Sequence, residues 1–277
     1  RLLTAISSPE INIETVLNPP SGPATGQKNP DVVIDQTGNV LLTVNMAVGN
    51  ESTLRTKYRY YSVDDSDWGE PTGLNDANTS NAKLAMTDSG FGIALFQQKD
   101  SGDGRQLLGS KVFSPETKQW SSTALIVENN NNSSQHQIAI NNKGEAVAVY
   151  KNDGKIIAKT YDLRATGTIS LTDNTLISGD SFNIGTDTFT AGSDFAIGDT
   201  AAETANNLHI AITATATPAY SSRLNDTTLT IKANELGTAG AAITLSYTDS
   251  GTGVAAAVSG ETLVVQTSWS NATVIND

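Results

Sequence analysis

The stretch that decides the fold occurs three times. Residues 29–44 read NPDVVIDQTGNVLLTV, residues 80–96 read SNAKLAMTDSGFGIALF, and residues 134–150 read SQHQIAINNKGEAVAVY. In each, alternating apolar residues run into a polar turn that ends on glycine, and a second alternating run follows. A period of two places one set of side chains on each face of a strand. The turns are Asp35-Gln-Thr-Gly38, Thr87-Asp-Ser-Gly90 and Asn141-Asn-Lys-Gly144. A polar opener and a glycine that accepts positive φ predict three β-hairpins.

The repeat runs on past the hairpins. Residues 58–63 and 109–113 predict a third strand, and Trp68 and Trp120 open a fourth. Each Trp stands 30 residues after its turn glycine, and the glycines are 52 and then 54 residues apart. Four antiparallel strands at this period, with an aromatic marker in each unit, predict β-propeller blades.

The third unit is interrupted. Its third strand is predicted over residues 156–161, yet the next Trp is Trp269, 108 residues after Tyr161, where the first two units need 7. A domain inserted over residues 164–266 accounts for the excess, leaving residues 267–277 as the last propeller strand and residues 1–163 as the blades. Residues 2–10, LLTAISSPE, echo residues 107–116, and INIETVLN then stands where a fourth strand without its Trp would. The expectation is a mainly β chain, an incomplete β-propeller of about three and a half four-stranded blades with a small α+β domain in the last. An open ring exposes strand edges and invites further blades or a second protomer. The first residue is Arg, with no initiator Met and no signal peptide, so a processed or excised piece is expected.

Residues 166–264 are rich in Thr, Ala and Gly and lack Trp. A hairpin is predicted over residues 175–187, with Phe182, Ile184 and Phe189 alternating. Thr200 and Glu203 form a capping-box pattern that opens a helix over residues 201–212. Strands are predicted at 227–233, 242–247 and 262–266. The stretch GDSFNIGTDTFTAGSDFAIGDTAAETANNLHIAI, with NDTTLTIKANELGTAGAAITLSYTDSG after it, resembles a module of phage tail and fibre proteins and large bacterial surface proteins, with similar segments in flagellar hook-associated proteins. That resemblance covers about a third of the chain and implies a structural or adhesive role. The blade repeats in turn resemble bacterial exported propellers, including the Asp-box group that contains sialidases. Ser62-Val-Asp64-Asp-Ser-Asp-Trp68 approaches the pattern Ser-x-Asp-x-Gly-x-x-Trp but lacks the Gly and is one residue short, and Ser114-Pro-Glu-Thr-Lys-Gln-Trp120 is further from it.

Composition narrows the function. The 277 residues carry 29 Asp+Glu against 17 Lys+Arg, a net charge of −12. Such a chain is a poor partner for phosphate backbones and anionic lipid, so no nucleic acid and no membrane insertion are expected. The absence of Cys removes thiol catalysis and disulfides. The Asn/Thr/Ser-rich makeup reads as exported: extracellular, cell-surface or virion.

No chemistry is named outright. Trp68, Trp120 and Trp269 could stack on sugars, though their regular spacing favours a packing role. Asp64, Asp65 and Asp67 form one acidic turn and Asp100 and Asp103 another, without the alternating ligands of a calcium loop. Asp180, Asp187, Asp194 and Asp199 read as turn residues. Structural calcium is the one metal weighed, and no cofactor is expected. Neither His136 nor His209 sits in a nucleophile motif. A sialidase would gather three arginines, and none can be grouped from Arg1, Arg55, Arg59, Arg105, Arg164 and Arg223. The Asn run 129–132 reads as a loop between blades. The sequence therefore predicts a non-catalytic adhesion module of a larger exported or tail-fibre protein, its inserted domain presented to a glycan or protein. A sialidase-like glycoside hydrolase and a fibre spacer are the alternatives.

Overall fold

A computed structural model of the chain describes residues 24–48, 55–75, 79–99, 105–126, 133–215, 218–251 and 255–276. The N-terminal stretch 2–18, the turn of Asp100 and Asp103, Arg1 and the Asn run 129–132 lie outside them. The described residues fall into two compact units. The first holds those up to Asn142, Val147–Lys159 and those from Asn271 on; the second holds Lys143–Ala146 and Thr160–Ser270.

Mainly β structure in several antiparallel sheets is what the chain forms. The first sheet orders β1 (Ala24–Ile34), β2 (Val40–Val48), β3 (Arg55–Ser62) and β4 (Asp67–Trp68), with β5 (Thr72–Gly73) also on β3. The second repeats it with β6 (Thr79–Met86), β7 (Gly92–Lys99), β8 (Gln106–Ser114), β9 (Gln119–Trp120) and β10 (Ala124–Leu125). The third contains β11 (Ser133–Ile140), β12 (Glu145–Asn152), β13 (Lys155–Asp162) and, at its edge, the last strand of the chain, Thr273–Asn276. The fourth strand of the first two repeats thus comes in two pieces. Gly69-Glu70-Pro71 breaks the first, where Pro71 has no N–H to donate to a ladder. Ser121-Ser-Thr123 breaks the second.

All three hairpins turn as their sequences require, with Gly38, Gly90 and Gly144 at φ of +97°, +88° and +81°. The turns also bond to one another. The Gln36 amide donates to the Asp88 carbonyl at 3.1 Å. The Asp88 amide donates to Asn142 Oδ1 at 2.9 Å, and the Asn142 side chain returns a bond to Asp88 Oδ2. These are the second positions of successive turns, 52 and 54 residues apart. Between the first two sheets lies a core of Leu41, Leu74, Leu84, Ala94, Phe96 and Phe113, joined by half-buried Tyr58, Tyr60 and Trp120. Burial of side chains this large contributes about 1.5–3 kcal/mol each.

The second unit has its own core. Its larger sheet places β14 (Arg164–Leu171) centrally. The hairpin of β15 (Ser181–Ile184) and β16 (Asp187–Thr190) pairs Phe182 with Phe189. Helix α1 (Ala201–Thr213) follows, with Thr200 Oγ1 accepting from the Glu203 amide and the Glu203 carboxylate accepting from the Thr200 amide. Its buried Ala205, Leu208 and Ile212 recur at turn spacing and join a core with Ile169, Phe182, Leu229 and Ile231. The remaining elements are β17 (Tyr220–Asn225), β18 (Thr228–Leu236), the short α2 (Gly237–Ala241), β19 (Leu245–Thr248), β20 (Ala256–Val258) and β21 (Val264–Val265). Residues 242–247 therefore split between a helix end and β19, and residues 262–266 shrink to β21 with one bridge, Thr244 to Thr262. The hairpin lies a few residues later than 175–187.

An ionic cluster ties the second unit together where the chain enters it. Arg164 donates to Glu145 at 2.5 Å and to Asp162 at 2.8 Å, and Lys232 donates to Asp162 at 2.8 Å. Partial burial pulls the Asp162 pKa upward, and the bonds from Arg164 and Lys232 more than reverse it, leaving it below the ordinary value. The native state thus binds that proton less readily than the unfolded chain. The stability it contributes is complete above the unfolded pKa of about 3.9 and is lost as pH falls through the lower native value. Asp162→Asn is expected to destabilise the second unit by about 1–3 kcal/mol at neutral pH, and to flatten the acid limb of its stability curve followed by circular dichroism.

Two glycines separate strain from crowding. Gly154 (φ +79°) has nothing within 4 Å of where a Cβ would stand, whereas at Gly144 a Cβ would lie 2.7 Å from Leu236 Cδ2 and 3.0 Å from Leu163 Cβ. Gly154→Ala should cost about 1–2 kcal/mol of backbone strain, and Gly144→Ala about 1–3 kcal/mol more from overpacking, read from urea unfolding.

Candidate functional site

On β3, side chains alternate. Arg59 and Tyr61 point to one face and Tyr58, Tyr60 and Ser62 to the other. The second set opens a groove of about 360 Å³ in the first unit, whose other walls are Asp65, Asp67, Trp68, Gly69, Glu70, Thr72 and Lys118. That volume lies at the small end for ligand sites. Tyr58 packs edge-on against Trp120 at 5.6 Å and Tyr60 against Phe113 at 5.1 Å, so both rings are anchored in the core between the first two sheets.

The floor is fixed from behind. Arg59 is only 1% exposed. Its Nε donates to the Gly69 carbonyl at 2.7 Å, an NH2 reaches the Trp68 carbonyl at 3.3 Å, and the guanidinium lies 5.6 Å from the Trp68 ring centre. Burial pushes its pKa below the usual arginine range, an effect that Glu70 and Asp67 offset in part. These bonds hold the broken fourth strand at Gly69, which sets Glu70 in the groove wall.

Lys118 enters from the next repeat. It occupies the turn position that Ser66 holds 52 residues earlier, and both have positive φ, +53° and +51°. Its Nζ lies 2.9 Å from Asp65 Oδ2 and 3.5 Å from Ser62 Oγ. The bond from Lys118 holds the Asp65 carboxyl below its ordinary pKa, with Ser62 adding to the effect. Burial raises the phenol pKa of both Tyr58 and Tyr60, and nearby Asp35, Asp64 and Asp65 add to the rise at Tyr60.

No family model matches the sequence, and no curated protein matches it either. The site is therefore read from its own geometry.

The tryptophans occupy one recurring place. Trp68 stands 5.5 Å from Tyr61, Trp120 5.3 Å from Phe113, and Trp269 5.2 Å from Tyr161, ring centre to ring centre. Packing is the common role, and the Trp68 ring lies on the Arg59 and Tyr61 side of its sheet. Of the acidic turn, Asp65 pairs with Lys118 and Asp67 caps the Trp68 amide. No group of three His, Asp or Glu side chains among the described residues is arranged to hold a metal. Asp180 is 1% exposed and accepts from the Ile177 and Ser250 amides, Ser250 Oγ and the Tyr247 hydroxyl. Burial and the Asp180 charge push the Tyr247 phenol up to about 12. Asp187 accepts from the Tyr220 hydroxyl and Asp194 from the Thr190 amide, while Asp199 precedes the helix cap. All four serve turns or strand ends.

His136 is buried, which lowers its pKa, and Nε2 meets the Asn81 carbonyl at 2.7 Å. His209 does meet a serine, with Nδ1 2.8 Å from Ser222 Oγ, yet no carboxylate among the described residues bonds its other nitrogen. Arg59 serves backbone carbonyls and Arg164 the ionic cluster. Among the described residues, no helix is long and apolar enough to cross a membrane.

Tyr58, Tyr60, Glu70, Thr72 and Lys118 were not singled out by the sequence. The available signal was the Tyr58–Tyr60 alternation together with the 52-residue offset that sets Lys118 beside Asp65. Arg59→Met should leave the Gly69 and Trp68 carbonyls without their donor, costing about 1–3 kcal/mol and collapsing the groove, read as a lowered melting temperature and altered Trp fluorescence.

Proposed function

We propose that the chain is a non-catalytic binding module that holds a glycan in the groove of Tyr58 and Tyr60. The single observation that carries this is two tyrosine side chains and a ring of hydrogen-bonding groups sharing one small open groove. Aromatic faces suit the apolar faces of sugar rings, while Thr72, Ser62 and the carboxylates suit hydroxyls. The groove carboxylate Asp65 is held ionised by Lys118, opposite to the raised pKa a glycosidase needs in its proton donor.

The same proposal takes the first unit as part of a β-propeller. In support, three sheets follow one another with equivalent turns, equivalent aromatic pairs and a repeated turn-to-turn bond. The third sheet lacks a successor among the described residues: Val147 is 38% exposed, whereas its counterpart Ile93 is fully buried. Further blades, from the same polypeptide or another protomer, would cover that face. The composition and the resemblance of the second unit to phage-fibre and surface-protein modules favour a larger exported or virion-associated protein, with that unit offered to a partner.

Titration with oligomers of glucose, galactose and N-acetylglucosamine, followed by Trp fluorescence and isotope-edited NMR, tests the reading. Saturable shifts at Tyr58 and Tyr60, lost in a folded Tyr60→Leu variant and unaccompanied by new reducing ends, are expected. Release of reducing sugar would replace it with a glycosidase.

A further inference from the structure

The groove already holds a positively charged nitrogen. Lys118 reaches it from a turn of the second sheet, and its side chain is half exposed there, with Asp65 and Ser62 as its polar partners among the described residues. The walls carry three carboxylates, Asp65, Asp67 and Glu70, against that one ammonium. Tyr58 and Tyr60 stand beside them on the groove face of β3. A cation gains from carboxylate acceptors and from aromatic faces together. The net charge of −12 raises the local concentration of cationic ligands over anionic ones.

We propose that the groove recognises a primary ammonium group, so that its saccharide is an amino sugar with a free amine, and that Lys118 is a tethered occupant of the seat that amine takes. The inference rests on the glycan reading above and names the class of sugar. A free-amine sugar stacks its ring on Tyr60 while its ammonium meets Asp65. The Lys118 ammonium must then leave the carboxylate, which its exposed stem permits. An N-acetylated sugar offers no charge to Asp65 and leaves Lys118 in place. An acidic sugar would bring a carboxylate towards Asp65, Asp67 and Glu70.

The probes are a glucosamine hexamer and its fully N-acetylated counterpart, titrated calorimetrically into the whole chain below neutral pH, where the amines are charged. The hexamer should bind about tenfold more tightly than the acetylated one, and Asp65→Asn should remove that preference. Lys118→Met vacates the seat and should tighten the hexamer several-fold relative to the acetylated sugar. Because Lys118 and Asp65 are both largely exposed, neither variant threatens folding, which circular dichroism checks. Equal binding of both hexamers, unaffected by either variant, overturns the ammonium proposal and leaves a glycan groove standing. Failure of every sugar to bind or to perturb Tyr60 overturns the glycan reading as well.

Discussion

The first unit depends on a short chain of hydrogen bonds between turns. Gln36 donates to Asp88 and Asp88 to Asn142, always from one repeat to the next. A directional bond at the same turn position sets each sheet at a fixed offset from its predecessor. That offset brings Phe113 and Trp120 of the second sheet onto Tyr60 and Tyr58 of the first. It also lays the Lys118 turn beside the Asp65 turn. The groove is therefore a product of repetition: it forms where two copies of one motif meet, and its chemistry lies where those copies differ.

The copies differ at most positions around the groove. Lys118 stands where the first repeat has Ser66, and Tyr60 where the second has Val112. The Tyr61, Phe113 and Tyr161 positions stay aromatic because each must cover a Trp. Conserving the packing layer while varying the rim gives a frame its binding character at little cost in stability, since exposed substitutions away from caps and cores alter stability by about 0.5 kcal/mol or less.

Much of this was legible in the chain. The hairpins were readable because their turns need positive φ and place glycine there. The helix start was readable because Thr200 and Glu203 satisfy each other's amides. The 7-residue step from aromatic to Trp marked the repeat even across the interruption. The central strand β14 escaped because RATGTISL puts Ala165 and Gly167 on the inward side, too small to announce a core, although Ile169 and Leu171 complete it. The groove escaped for another reason. Asp65 and Lys118 are 53 residues apart, and only the offset between sheets makes them neighbours. A linear pattern carries each residue but not their meeting.

The ends of the second unit touch. Thr160 donates to Ser270 Oγ and accepts from the Ser270 amide, both at 2.9 Å, across a separation of 110 residues. Pairing β13 with the final strand Thr273–Asn276 (β22) requires Ile157 to find Val274 over a comparable distance. For an unstructured loop that search would carry the entropy of a long closure. A second unit that folds first delivers its two ends side by side, and the search shrinks to a few residues. The order of events follows: β22 can add to the third sheet quickly only after residues 160–270 have taken their shape. A lesion in the core of the second unit, such as loss of Leu208 or Ile231, would then delay closure of a sheet that contains neither residue.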